Sequence, residues 1–195
     1  LKKIKPSPTM VITAKARELK SKGENVISLS SGEPDFDTPE HIKEAAIKAI
    51  YAGHTKYTNV EGITELKEAI VNKFSNDNSI KFKPQEVIVG VGGKQILFNA
   101  LLATLNPKDE VIIPTPYWVS YPDMTLLAGG IPKFLNCDIE KDFKIDAHNL
   151  NSFITNNTKW LILNSPSNPS GSCYTKRELE DLSLIHISEP TRPRI

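Results

Sequence analysis

From about residue 87 onward, short β-branched runs alternate with stretches of helical spacing, and this pattern constrains the fold more than any other feature of the chain. Residues 87–91, 110–113, 131–135 and 159–163 read as strands, and residues 94–105, 117–128, 146–154 and 175–182 read as helices. Buried β-branched strands alternating with helices predict an α/β fold around a mostly parallel sheet. Upstream, Thr38-Pro39-Glu40 offers a capping hydroxyl, a proline for the first helical position and a first-turn carboxylate. Ile42, Ala45, Ala46, Ala49 and Ile50 continue at helical spacing, and Gly53 can end that helix. Ile63, Leu66, Ile70, Val71 and Phe74 mark a second amphipathic helix.

Composition excludes several classes of function. With 195 residues, 39% of them hydrophobic and 24% charged, the chain is too apolar for disorder and long enough to bury a core. Lysine plus arginine number 24 against 23 acidic residues, a net charge of +1 that leaves no footprint for nucleic acid or an anionic membrane. Cys137 and Cys173 form no Cys-x-x-Cys pair, so two reduced, buried thiols in a cytoplasmic protein are expected. The best apolar run, residues 96–105, is broken by Asn99 and Thr104, and no membrane span is expected. The basic start lacks the apolar stretch of a secretion signal. It also lacks a methionine, so a few residues are expected to precede it. At the other end, Ile187-Ser188-Glu189-Pro190-Thr191-Arg192-Pro193-Arg194 has two prolines and no apolar face. Residues 183–195 resemble translated adapter sequence and are expected to be a non-native tail.

Three segments carry chemistry. In Val89-Gly90-Val91-Gly92-Gly93-Lys94-Gln95, glycines lie between an expected strand and an expected helix, where free N–H groups suit an anion such as phosphate. A P-loop would need glycine at Ile88 and Ser or Thr at Gln95, and a dinucleotide fingerprint would need glycine at Gln95; both fail. A plain tight turn stays open on this segment alone. Pro114-Thr115-Pro116-Tyr117-Trp118 and Asn164-Ser165-Pro166-Ser167-Asn168-Pro169-Ser170-Gly171 each follow a strand, where α/β proteins place ligands. Trp118 could stack on a flat heterocycle or fill a core, and the second segment alone would be a polar turn.

Taken in order with Ser31-Gly32-Glu33-Pro34-Asp35-Phe36-Asp37 and Lys56-Tyr57-Thr58, these segments resemble the class I, fold-type I pyridoxal-phosphate aminotransferases. Within them the series is similar to the bacterial aspartate and aspartate/prephenate branch, from about Ile4 to Leu182. The resemblance implies a three-layer α/β/α large domain with a mostly parallel sheet, cut short, preceded by an N-terminal arm and small-domain segment. It places the arm and small-domain segment at residues 1–37 and the first part of the cofactor-binding domain at 38–182. It implies pyridoxal 5'-phosphate as cofactor and amino-group transfer between L-aspartate and 2-oxoglutarate, with prephenate as a further substrate. Another pyridoxal-phosphate aminotransferase, a β-lyase of the same fold or a cofactor-sensing regulatory domain are the rival readings.

Residue by residue, the resemblance assigns the cofactor phosphate to the turn at Gly92, Gly93 and Lys94. Trp118 is matched to the ring-stacking aromatic that also borders the substrate. Asn168 corresponds to the amide on the cofactor's phenolic oxygen, near the substrate carboxylate. Gly32 is matched to a backbone contact with substrate, and Lys5 to prephenate recognition, where a cation suits a second carboxylate. Tyr57 is matched to a tyrosine reaching the neighbouring subunit's phosphate, which implies a homodimer. Ordinary surface roles remain open for Lys94, Tyr57 and Lys5. The lysine that bonds the cofactor, the aspartate on its pyridine nitrogen and the arginine for the substrate α-carboxylate have no counterpart here. No catalytic residue is therefore assigned, and the chain by itself is expected to be inactive.

Overall fold

The computed structural model describes residues 4, 7–30, 32 and 34–187. They form two compact units, one of residues 7–96 and one of residues 97–187 together with Ile4.

The N-terminal unit holds helices α1 (Pro8–Ser21), α2 (Glu40–Tyr51) and α3 (Thr64–Asn78), and α4 (Gly92–Thr104) begins within it. The sequence reading did not pick out α1, which starts on a proline in its first turn. The cap expected from Thr38 is not made: α2 starts at Glu40 behind Pro39, without a side-chain cap. Residues 87–91 form no strand, contrary to expectation: Val87 is extended, but the stretch pairs with no ladder and bends at Val91. The β-branched run favours extended backbone, but a strand also needs a ladder partner. Here Val89 N–H instead donates to the Glu61 carbonyl at 3.0 Å. Glycine is required opposite it: Gly62 has φ +106°, and a Cβ there would lie 2.9 Å from Val89 Cγ2.

The C-terminal unit is built on three parallel strands, β1 (Glu110–Thr115), β2 (Ile131–Asn136) and β3 (Thr158–Leu161), in the order β2-β1-β3. Strand β1 is central, so its residues are covered on both faces; Val111 and Ile113 are 0% exposed and Ile112 1%. The two-residue period of a strand sorts them into separate cores. Val111 and Ile113 pack with Leu101 of α4, Leu105, and Tyr121 and Met124 of α5 (Ser120–Leu127). Ile112 packs with Leu135, Ile145, Leu150 of α6 (Ala147–Phe153) and Leu182 of α7 (Lys176–Ile187). Helices thus cover both faces of a parallel sheet, and the α/β reading holds.

Caps explain the helix starts on the second face. The Asp146 carboxylate accepts from the His148 and Asn149 N–H groups at 2.9 and 3.2 Å, opening α6. Thr175 and Glu178 cap one another to open α7: Thr175 N–H donates to Glu178 Oε2 at 2.6 Å, and Glu178 N–H to Thr175 Oγ1 at 3.3 Å. Helix α7 continues to Ile187. Both cysteines are free thiols; Cys137 is half-buried, whereas Cys173, expected to be buried, is exposed in the turn before α7. Among the described residues no helix is long and apolar enough to cross a membrane.

Candidate functional site

Two loops leave the sheet at its carboxyl edge, one after β1 and one after β3. Together with Phe143 they line a small cleft formed by Pro114, Pro116, Tyr117, Tyr121, Ile162, Leu163, Asn164, Ser167, Asn168 and Tyr174. The carboxyl ends of parallel strands are where helices diverge and leave room for a ligand. The Thr115–Pro116, Ser165–Pro166 and Asn168–Pro169 peptide bonds are cis.

In the β1 loop, Tyr121 N–H donates to the Trp118 carbonyl at 3.0 Å, turning the chain into α5 three residues later than the expected start at 117. Trp118 is half-buried and meets the Tyr121 ring edge to face, with centroids 5.4 Å apart at 89°. Tyr117 stacks on Phe134 of β2 at 5.1 Å. Burial pushes the Tyr121 phenol up, and the residue lines the cleft as a neutral group.

The β3 loop is held by its own hydrogen bonds. Asn164 Oδ1 accepts the Asn168 N–H at 2.8 Å, and Gly171 N–H donates to the Ser167 carbonyl at 2.8 Å. Across the neck of the loop, Tyr174 N–H donates to Ser165 Oγ at 3.1 Å. The Tyr174 ring packs beside the Ile112 core, and its hydroxyl accepts the Ile145 N–H at 2.7 Å. Burial pushes the Tyr174 phenol up while that N–H opposes the shift. The Asn168 residue itself is exposed.

The glycine turn belongs to the N-terminal unit. Gly92 opens α4 with φ +79°, a conformation that favours glycine, and its N–H donates to the Gly90 carbonyl at 3.0 Å. Gln95 Oε1 accepts the Val91 N–H at 2.5 Å, fixing the turn from inside the helix. A Cβ at Gly92 or Gly93 would meet nothing within 4 Å, so the approach to this helix start is open. First-turn N–H groups have no acceptor within their own helix, and an anion can supply one. This geometry fits a phosphate.

The expected site residues fall into two sets. Trp118 and Asn168 lie in the C-terminal unit, linked through Tyr121, which touches the Trp118 ring and lines the cleft with Asn168. Gly32, Tyr57, Gly92, Gly93 and Lys94 lie in the N-terminal unit and are all exposed, Tyr57 fully. Lys5 lies outside the described residues. The sequence reading missed Asn164, Ser165 and Tyr174 as supports and Gln95 as a brace. Asn164 had a usable signal, since asparagine in a turn often accepts from nearby backbone. Tyr174 had none, because its partner Ile145 is 29 residues away.

Parallel strands covered on both faces, with a cleft at their carboxyl ends, define an α/β fold with a candidate ligand site. Residues 24–186 match the model of the aminotransferase class I and II family, and the chain belongs to that family. An aspartate/prephenate aminotransferase of Cereibacter sphaeroides is 57% identical over 190 residues, which are 97% of this chain and 48% of that protein. A probable aspartate/prephenate aminotransferase of Rickettsia bellii is 56% identical, with the same coverage of 97% and 48%. Among solved structures, the Thermus thermophilus aspartate aminotransferase with maleate superposes with a TM-score of 0.92 at 47% identity, covering 96% of this chain and 49% of that one. The aspartate aminotransferase from Rhizobium meliloti gives 0.91 at 47% identity, covering 96% and 47%. The chain spans about half the length of the curated relatives it matches.

Proposed function

We propose that this chain is the first half of a pyridoxal-phosphate-dependent aspartate/prephenate aminotransferase. The observation that supports the reading is the cleft at the carboxyl ends of β1 and β3, which Tyr121 and Asn168 both line, with the Trp118 ring packed against Tyr121. The cofactor, when bound, supplies an electron sink for breaking bonds at the amino-acid α-carbon. The residues of this chain bind and orient. With the cofactor bound, the helix start at Gly92, Gly93 and Lys94 would hold its phosphate, and Trp118 would stack on its ring and border the substrate. The Asn168 carboxamide would donate to the cofactor's phenolic oxygen, and the Gly32 backbone would meet the substrate. Exposed Tyr57 reaches a second copy, making the protein a homodimer with shared sites. Lys5 meets the second carboxylate of the larger substrate. Residues 1–37 then belong to the arm and small domain, 38–182 to the large domain, and 183–195 to a foreign tail.

The experiment is amino-transfer kinetics with the complete protein that contains this chain. Transfer from L-aspartate to 2-oxoglutarate is expected, and Lys5→Ala should depress turnover of prephenate while sparing aspartate. Equal loss on both substrates, or on neither, would remove Lys5 from specificity. A protein that binds the cofactor without any amino transfer would overturn the proposal in favour of a sensing role.

A further inference from the structure

We propose that Asn164 is a positioning residue for Asn168, an inference that rests on the functional reading of Asn168 given above. Asn168 is exposed on a loop flanked by prolines, Pro166 and Pro169, and exposed loops hold a side chain only as well as their backbone is held. Proline lacks the N–H that would tie the loop down at 166 and 169, so the remaining donors carry the task. The Asn168 N–H is the donor of the functional residue itself, and its acceptor is Asn164 Oδ1 at 2.8 Å. Asn164 is better placed than its partner to set a position. It is half-buried at the end of β3, two residues after Ile162, whose N–H still donates to the Ile112 carbonyl of the central strand at 3.0 Å. The loop is closed behind it by Tyr174 N–H on Ser165 Oγ, and Tyr174 is pinned in turn by the Ile145 N–H on its hydroxyl. The Asn164 carboxamide therefore ties the backbone of Asn168 to a chain segment that has just left the sheet. Asn164 also lines the cleft without being assigned any ligand contact. Its carboxamide oxygen is used on the Asn168 backbone, which makes it a support for the contact and not the contact.

The test uses the complete protein loaded with pyridoxal 5'-phosphate, and its readout is the pH midpoint of the bound cofactor's visible band. A donor on the phenolic oxygen favours the form with more negative charge there, so losing it moves the midpoint upward. Asn168→Ala should raise the midpoint, and Asn164→Ala should raise it in the same direction by less, about half a unit. In an Asn168→Ala background, Asn164→Ala should add nothing. Amide exchange at residue 168 should quicken about 3- to 10-fold in Asn164→Ala, matching one lost neutral hydrogen bond. Asn164→Gln, which keeps the carboxamide but moves it by a methylene, should shift both readouts the same way and serves if the alanine variant does not fold. An unchanged midpoint in Asn168→Ala would overturn the reading of Asn168 and this inference with it. A shift in Asn168→Ala with none in Asn164→Ala, or an equal Asn164→Ala shift in both backgrounds, would overturn the positioning role alone.

Discussion

The two tryptophans give the sharpest separation of site from core. Both are half-buried and pack against the same cluster around Val111 and Ile113, yet only Trp118 sits in the loop above the carboxyl end of β1. Trp160 lies in β3, where its Nε1–H donates to Thr104 Oγ1 at 2.8 Å. Trp160→Phe removes that bond but leaves the Thr104 hydroxyl its bond to the Ala100 carbonyl, so no polar partner is stranded. The expected loss is about 0.5–1.5 kcal/mol of stability for the bond, plus a smaller packing loss, and no change in cofactor affinity. Trp118→Ala removes the edge-to-face pair with Tyr121, costing about 0.5–1.5 kcal/mol of stability beyond area. It also removes one face of cofactor stacking of the same size, which is about a 2- to 12-fold rise in the cofactor dissociation constant. The assay is cofactor titration of the complete protein by absorbance, with urea melts run in parallel. A Trp118→Ala protein with lowered stability and unaltered cofactor affinity would refute the assignment and return Trp118 to the core. Equal affinity losses in both variants would show that the titration reports global stability.

Three further outcomes follow from packing and charge. Ile112→Ala deletes three carbons from a fully buried site, about 2.4 kcal/mol by transfer alone and roughly 3–4 kcal/mol with the cavity; Ile131→Ala, on a half-exposed position of β2, should cost under about 1 kcal/mol in the same urea melts. The Asp146 carboxyl is held below its ordinary range by its bond to Lys141 and by the α6 N–H groups, and Glu178 by the Thr175 N–H, the Thr175 hydroxyl and Lys144. The folded state therefore binds fewer protons than the unfolded one. This stabilisation is complete above the unfolded carboxyl range and is lost as pH falls through the lowered values; melting temperatures from pH 6 to about pH 2 should show it, with a smaller drop in Asp146→Asn. Thiol alkylation should modify exposed Cys173 well before half-buried Cys137, whose thiol is pushed up chiefly by burial; equal rates would contradict the placement of Cys137.

How far the sequence could be read depended on whether the needed partner was local. Strands β1, β2 and β3 were legible because Val111, Ile112 and Ile113 and their counterparts carry a dense apolar signal set by the sheet itself. Residues 87–91 carried a similar signal without a ladder, since composition encodes extended backbone and says nothing of the strand beside it. Helix α2 was legible from its spacing, yet Ile42, Ile47 and Ile50 are all exposed: periodicity marks an apolar face, not what covers it. In the site, the glycine turn and the two loops after strands announced themselves by residue type. Gln95 bracing Val91 and Tyr174 receiving Ile145 did not, because a polar or aromatic residue in sequence gives no hint of which backbone N–H it will meet.

The central claim is that this chain supplies the cradle for a cofactor that is bonded elsewhere in the complete protein. Borohydride reduction of the complete protein with pyridoxal 5'-phosphate, followed by peptide mapping, tests it directly. The predicted result is stoichiometric label on a single lysine that is not among the lysines of this chain. Label on a lysine within it, Lys94 included, would contradict the account.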